Sequence, residues 1–285
     1  MSPRRPVLRY HGGKWRLAPW IISHFPPHRV YVEPFGGAAS VLMRKPRAYA
    51  EVYNDLDGEV VNLFRVVRDP EQSRQLAAAV VLTPFARAEY EAAQHPSGLA
   101  VEQARRTLVK AWMGFGSSAL VEASAGFRVA LSDRRHTPLE WSTFALVIPA
   151  FTERLRGVLV EHRPASEVIA KHDAPDALHF IDPPYMAATR GARHRYRHEV
   201  NEDGHRVLAE QLLSLKGAVV LSGYDSPLYE ELYPGWAAHR RTARDAKSRE
   251  RTETLWLNPA CEDACRMISP SERPRNNAFQ ESGCC

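Results

Sequence analysis

The stretch Val30-Tyr31-Val32-Glu33-Pro34-Phe35-Gly36-Gly37-Ala38-Ala39-Ser40 constrains this chain more than any other. An apolar run of strand-forming residues meets a turn of small side chains, and a helix is expected to begin near Ser40. Small residues at such a turn let a ligand approach the backbone closely. Further on, Ala50-Glu51-Val52-Tyr53-Asn54 reads as the next strand and ends at Asp55. Strand, glycine turn and helix in this order form the nucleotide-binding corner of a doubly wound α/β sheet. Ligands there lie beyond the strand C-termini, and an acid at the tip of the second strand can accept hydrogen bonds from ribose hydroxyls. Each piece also has a plain structural reading: Gly36-Gly37 as a tight turn, and Asp55 as the N-cap of a helix over Leu56 to Arg68.

A second motif follows the apolar run Ala177-Leu178-His179-Phe180-Ile181, where Asp182-Pro183-Pro184-Tyr185 supplies hydrogen-bond acceptors. The lone pair of a nucleobase amino group is delocalised into the ring. Accepting hydrogen bonds from both of its N–H groups draws the nitrogen toward a tetrahedral shape and frees that lone pair. The Asp182 carboxylate and the Pro183 carbonyl are suitable acceptors, on a segment that two prolines stiffen and strip of competing donors. Tyr185 offers a flat face for a flipped base. Read alone, Asp-Pro-Pro after a strand is also an ordinary turn. Near the N-terminus, Tyr10-His11-Gly12-Gly13-Lys14 lacks the glycine spacing and the Ser/Thr of a phosphate loop. Its lysine is placed either to meet a carboxylate of a ligand or of the protein, or to lie on a basic surface loop.

Taken together and in this order, Tyr10-x-Gly-Gly-Lys14, Glu33-Pro34-Phe35-x-Gly37, Asn54-Asp55 and Asp182-Pro183-Pro184-Tyr185 resemble the Dam-type (D12 class) DNA adenine-N6 methyltransferases, including orphan members carried by phages and prophages. The resemblance runs from about Arg9 to Pro259 and takes in Leu221-Ser222-Gly223-Tyr224 and Glu253-x-Leu255-Trp256-x-Asn258. It implies S-adenosylmethionine as cofactor and a flipped adenine in double-stranded DNA as substrate. Tyr10, Gly13, Lys14, Glu33, Pro34, Phe35, Gly37, Asp55 and Asp182 would form the cofactor site, and Asp182 to Tyr185 the catalytic motif. No metal is implied. One departure is Phe35-Gly36-Gly37-Ala38-Ala39, where the family usually shows Phe-x-Gly-x-Gly, so Ala39 stands in place of a glycine. Cytosine-N4 methylation uses the same acceptors, and a DNA-binding protein without catalysis would carry a damaged motif. RNA and protein glutamine are further acceptors for such a fold, although the glutamine-modifying relatives usually carry Asn where this chain has Asp182.

Charge agrees with a nucleic-acid partner: 38 Lys and Arg against 33 Asp and Glu give a formal +5. Arg190, Arg193, His194, Arg195, Arg197 and His198 follow the acceptor motif, and Arg240, Arg241, Arg244, Lys247, Arg249 and Arg251 come later. Both runs are expected near the strand C-termini, as phosphate contacts or as solvated loops. From Glu59 to about Arg156 the pattern is mainly helical, over Val60 to Val67, Gln72 to Val81, Arg87 to Ala93, Val101 to Met113 and Thr143 to Leu155. This is the expected target-recognition subdomain, with Arg105 and Lys110 on one helix and Arg134 on a loop or hairpin as DNA contacts. Trp112 is expected in the core and His205 on the surface. The fold is therefore expected to be a doubly wound, mostly parallel, Rossmann-like methyltransferase sheet of six or seven strands with a helical insertion. Residues 1–58 and 157–260 would form the catalytic domain, 59–156 the insertion and 261–285 a disordered tail. All four cysteines, Cys261, Cys265, Cys284 and Cys285, fall in that last stretch without zinc-site spacing, and read as free thiols outside the core. No signal peptide or membrane-length apolar run is read, and no obligate protein partner is evident. The expectation is a cytoplasmic protein of a bacterium or of a phage-infected host.

Overall fold

The computed structural model of the chain describes residues 3–116, 120, 126–132, 135–185, 197–223, 225–244 and 250–267. In chain order these form α1 (Ala18–Ile22), β1 (Val30–Glu33), β2 (Ala50–Asn54), α2 (Gly58–Arg68), α3 (Pro70–Leu82), α4 (Arg87–Ala92), α5 (Ala100–Met113), β3 (Leu131–Ser132), β4 (Arg135–His136), α6 (Thr137–Ser142), a 3-10 turn (Ala145–Val147) and α7 (Ile148–Leu155). They continue with β5 (Val158–Glu161), α8 (Ala165–Lys171), β6 (Ala177–Ile181), α9 (Glu202–Leu213), β7 (Ala218–Gly223), α10 (Pro227–Leu232), β8 (Ala237–Arg244), β9 (Glu250–Leu257) and α11 (Pro259–Arg266). None of the described helices is long and apolar enough to cross a membrane.

Seven strands make one sheet in the order β5-β2-β1-β6-β7-β9-β8. The strands from β5 to β7 run parallel, and β9 is antiparallel to both β7 and β8. This is the doubly wound, mostly parallel architecture expected from the sequence. Winding turns outward in both directions from the β1/β6 boundary, which is therefore the topological switch point where such sheets bind ligands. The central strands are apolar on both faces, as buried parallel strands must be. On β7, Ala218 and Val220 join one core cluster, whereas Val219 and Leu221 join another with Leu208 and Leu212 of α9 and Tyr229 of α10. Side chains alternate across a strand, so these two clusters lie on the two faces of the sheet.

The helices between β2 and β5 share the first of those clusters. Leu63, Leu76, Leu108, Trp112, Phe144 and Phe151 are continuous with Tyr31 of β1 and Phe180 of β6. The insertion and the sheet thus have one interior. Trp112 is buried as expected, and its indole N–H donates to the Val7 carbonyl at 3.0 Å.

The structure departs from the sequence reading in several places. The helix expected from Ser40 is only a turn, closed by Met43 N–H to Ala39 O and Lys45 N–H to Val41 O, both 2.9 Å. Pro46 ends it, because proline disfavours helical backbone in the residue before it and has no N–H to continue the ladder. The helix read over Thr143 to Leu155 is divided, with Pro149 in the first turn of α7. The run from Arg240 to Arg251 includes strand: Ala237 to Arg244 pairs residue for residue with Leu257 to Glu250. The tail expected from residue 261 is helical as far as Arg266. Asn258 caps α11 by accepting from Cys261 N–H at 2.9 Å, and Cys261 is fully buried in the core. His205 lies inside the protein, with Nδ1 3.2 Å from the Tyr229 hydroxyl.

Candidate active site

Glu33 ends β1, Asp55 follows β2 and Asp182 follows β6, so parallel pairing delivers three acids to one edge of the sheet. They line an open pocket together with Tyr10, Gly13, Lys14, Pro34, Phe35, Gly37 and Pro184. The residues expected to hold the cofactor are thus brought together at the switch point.

Local hydrogen bonds shape the glycine turn. Gly36 N–H donates to the Asn54 carbonyl at 2.8 Å, and Tyr53 hydroxyl to the Gly37 carbonyl at 2.8 Å. A Cβ on Gly36 would sit 2.1 Å from the Tyr53 ring, so only glycine allows this closure. Gly37 has φ +46° and lies against Tyr10, while Ala39, at the position where glycine is usual, has φ +50°. Asn54 staples the corner: its amide donates to the Pro34 and Arg163 carbonyls at 2.9 and 3.0 Å and its oxygen accepts from Arg163 N–H at 2.9 Å. Asp55 accepts from Gly37 N–H at 2.7 Å and Asp57 N–H at 2.8 Å. The N-cap of α2 is Asp57, which accepts from Glu59 N–H at 3.0 Å, leaving Asp55 to the pocket.

Electrostatically the site is an acid-rich cleft around one lysine. Lys14 Nζ is 3.2 Å from Asp182 Oδ1 and 3.9 Å from Glu253 Oε2. It also donates to the Gly12 carbonyl at 3.2 Å and lies 4.5 Å from the centre of the Tyr185 ring. Burial raises the Asp182 carboxyl above its ordinary range, Lys14 opposes this, and Glu253 adds to it. Glu33 is pushed up to about 8 by burial, although the Tyr31 hydroxyl (2.7 Å) and Leu42 N–H (3.0 Å) both donate to its Oε2. Burial likewise raises Asp55. Tyr185 is itself 5 % exposed, with its hydroxyl held by Ser222 Oγ at 2.8 Å and Glu253 Oε2 at 3.1 Å. Sequence reasoning gave no role to Glu253, Ser222 or Tyr31. The Glu253-x-Leu255-Trp256 pattern pointed to the first, but only strand pairing brings it to Tyr185.

The basic residues divide. Arg105 pairs with Glu102 at 2.7 Å and Glu89 at 2.8 Å, and Lys110 pairs with Glu59. Their charges are thus committed to protein carboxylates, which removes them from a DNA face. Arg197 lines the pocket and reaches Asp57 Oδ1 and the Leu120 carbonyl, both at 3.0 Å. Arg134, Arg190, Arg193 and Arg195 lie outside the described residues, as does Tyr224.

The strand order and the switch-point pocket define a Rossmann-like α/β protein. Residues 10–95 match the model of the D12 class N6 adenine-specific DNA methyltransferase family. A DNA adenine methylase of Salmonella typhi is 23% identical over 248 residues, covering 82% of this chain and 85% of its own length. The type II methyltransferase M1.LlaDCHI of Lactococcus lactis subsp. cremoris is 29% identical over 280 residues, or 89% of this chain and 95% of the relative. A solved S-adenosylmethionine-dependent methyltransferase from Agrobacterium tumefaciens aligns over 66% of this chain and 62% of its own at 16% identity and a TM-score of 0.24, so the fold assignment rests on the strand order instead.

The lining suits S-adenosylmethionine. Glu33 and Asp182 would face its ammonium and sulfonium charges. Asp55 retains acceptor capacity beyond its two amide donors, as a ribose diol needs. Tyr10, Phe35 and Leu56 supply apolar wall.

Proposed function

We propose that this protein transfers the methyl group of S-adenosylmethionine to N6 of an adenine flipped out of double-stranded DNA. The observation that carries the reading is the placement of Asp182-Pro183-Pro184-Tyr185 across the switch point from the Glu33–Gly37 turn, in a chain with the D12 match. When bound, S-adenosylmethionine supplies a sulfonium-activated methyl group. Asp182 and the Pro183 carbonyl would accept the two N6 hydrogens and aim the lone pair, and Tyr185 would flank the base. For this the Asp182 carboxylate must stay an acceptor, and Lys14 at 3.2 Å opposes the burial that favours its protonation. N6 becomes strongly acidic only after the methyl arrives, so no base has to deprotonate it first.

Arg190, Arg193 and Arg195 remain the proposed phosphate contacts, and the helices between β2 and β5 the proposed target-recognition region. The protein would act in the cytoplasm, where bacterial or phage DNA is found. The test is methyl transfer from labelled cofactor to unmethylated DNA, digestion to nucleosides and mass analysis, with Asp182→Ala as control. N6-methyladenine that falls by at least about a thousandfold in the variant is the expected result, since the substitution removes a charged acceptor aligned with the reacting atom. N4-methylcytosine would redirect the substrate to cytosine. Absence of any methylated nucleoside with the wild type would overturn the reading.

A further inference from the structure

Glu253 is the second acid beside Lys14, and it comes from a strand that the acceptor motif does not belong to. It lies on β9, one residue before Thr254, which pairs with Gly223 of β7, and its side chain is 13 % exposed. Its Oε2 accepts from the Tyr185 hydroxyl at 3.1 Å and stands 3.9 Å from Lys14 Nζ. A phenol carries one proton, for which Asp182 also competes; with that proton on Glu253 the 2.8 Å contact to Ser222 is made by the serine hydroxyl donating to Tyr185. The ring of Tyr185 is therefore anchored at its far end by two strands, β7 and β9, while its backbone is fixed by β6 and the prolines.

We propose that Glu253 is a positioning residue of the methyl-acceptor pocket, which sets the plane of the Tyr185 ring and shares the Lys14 ammonium with Asp182. An aromatic ring pinned only at its backbone rotates about two side-chain bonds. A hydroxyl held at both its donor and acceptor sites fixes the ring at no further entropic cost when a base arrives. The second effect concerns Asp182. A lysine with a single carboxylate partner would close on it and occupy the lone pairs that the amino group needs. A second carboxylate at 3.9 Å holds the ammonium between the two. Arg241 pairs opposite Glu253 in the β8–β9 register. The strand that carries the anchor is thus also joined to the basic β8 edge.

The assignment rests on the methyltransferase reading and is tested in the same assay with Glu253→Ala, Glu253→Gln, Tyr185→Phe and the Glu253→Ala/Tyr185→Phe double variant. Glu253→Gln is close in shape and keeps an acceptor for the phenol, so it guards against loss of folding. The expected result is a fall in kcat of about tenfold or more for Glu253→Ala, the size of a lost charged hydrogen bond, with KM for the cofactor within about twofold. Glu253→Gln, which keeps the acceptor for the phenol but not the charge beside Lys14, should recover part of the loss. The double variant should lose less than the product of the two single losses, because both remove the Tyr185–Glu253 bond. Unchanged kcat in Glu253→Ala, or losses that multiply in the double variant, would overturn the assignment while the wild type stayed active. An inactive wild type would overturn the function and the assignment with it.

Discussion

Ala39 shows how a single residue can look like damage and still be tolerated. Left-handed backbone costs a residue with a Cβ about 1–2 kcal/mol, and Ala39 adopts it with φ +50°. Its methyl is fully buried, worth about 0.8 kcal/mol, and glycine would add unfolded-state freedom worth about 0.4–1 kcal/mol. The terms nearly cancel, so Ala39→Gly is expected to shift stability by less than about 1 kcal/mol in a denaturant titration, with little change in cofactor affinity. Glu33 makes a stronger prediction. Its carboxyl is raised from an ordinary 4.5 to about 8, so the folded state holds a proton that the unfolded chain has lost between those values. Stability from Glu33 is therefore full below about pH 4.5 and lost as pH rises through 8, by up to about 1.4 kcal/mol per unit. Thermal melting of the ligand-free protein should fall across that window, and Glu33→Gln should flatten the fall. A cationic cofactor favours the ionised form, so calorimetric affinity should rise from pH 6 to 8 in the wild type and not in the variant. Such acids were legible as residues in the sequence. Their protonation was not, because it depends on burial by Tyr31, Leu42 and the sheet.

Among the elements, those whose signal is local were readable. The β1 turn, β6 with its acceptor motif, and α2 to α5 carry their own periodicity and punctuation. β8 was obscured because His239, Arg240 and Arg241 resemble a solvated charge run, and its strand character comes from pairing with β9. α11 was hidden by its polar composition, although Cys261 faces the core. Arg197 was expected on DNA, yet it ties the pocket wall to Asp57, with Glu59 3.6 Å away, and to the Leu120 carbonyl. Arg197→Ala is thus expected to raise the cofactor KM several-fold while the salt slope of DNA binding stays the same, since internal pairs release no counterions. A slope that falls by about one would return Arg197 to the phosphates. Replacing Arg193 and Arg195 together by Ala should lower the slope.

The whole molecule is held by polar as well as apolar links between its parts. Glu51 of β2 receives Lys45 at 2.6 Å, and Arg154 of α7 through both guanidinium ends at 2.6 and 2.9 Å, with all three side chains buried. Removing one member leaves uncompensated buried charge, so Glu51→Ala should cost about 3–5 kcal/mol of unfolding free energy. The sequence marked the stretch from 59 to 156 as different in pattern but could not reveal its shared core, because which faces meet is decided by tertiary contacts. Deleting that stretch is expected to abolish cooperative folding of the remaining sheet, measured by far-ultraviolet circular dichroism and melting.

That common interior limits how such a protein can acquire a new target sequence. The proposed recognition region carries part of the hydrophobic core, so it cannot be exchanged as a cassette between relatives, because every graft must also match Tyr31, Phe180 and their neighbours. Change in specificity should therefore accumulate one solvent-facing substitution at a time, and engineers seeking a new target should vary the exposed surface while leaving Leu108, Trp112 and Phe144 in place.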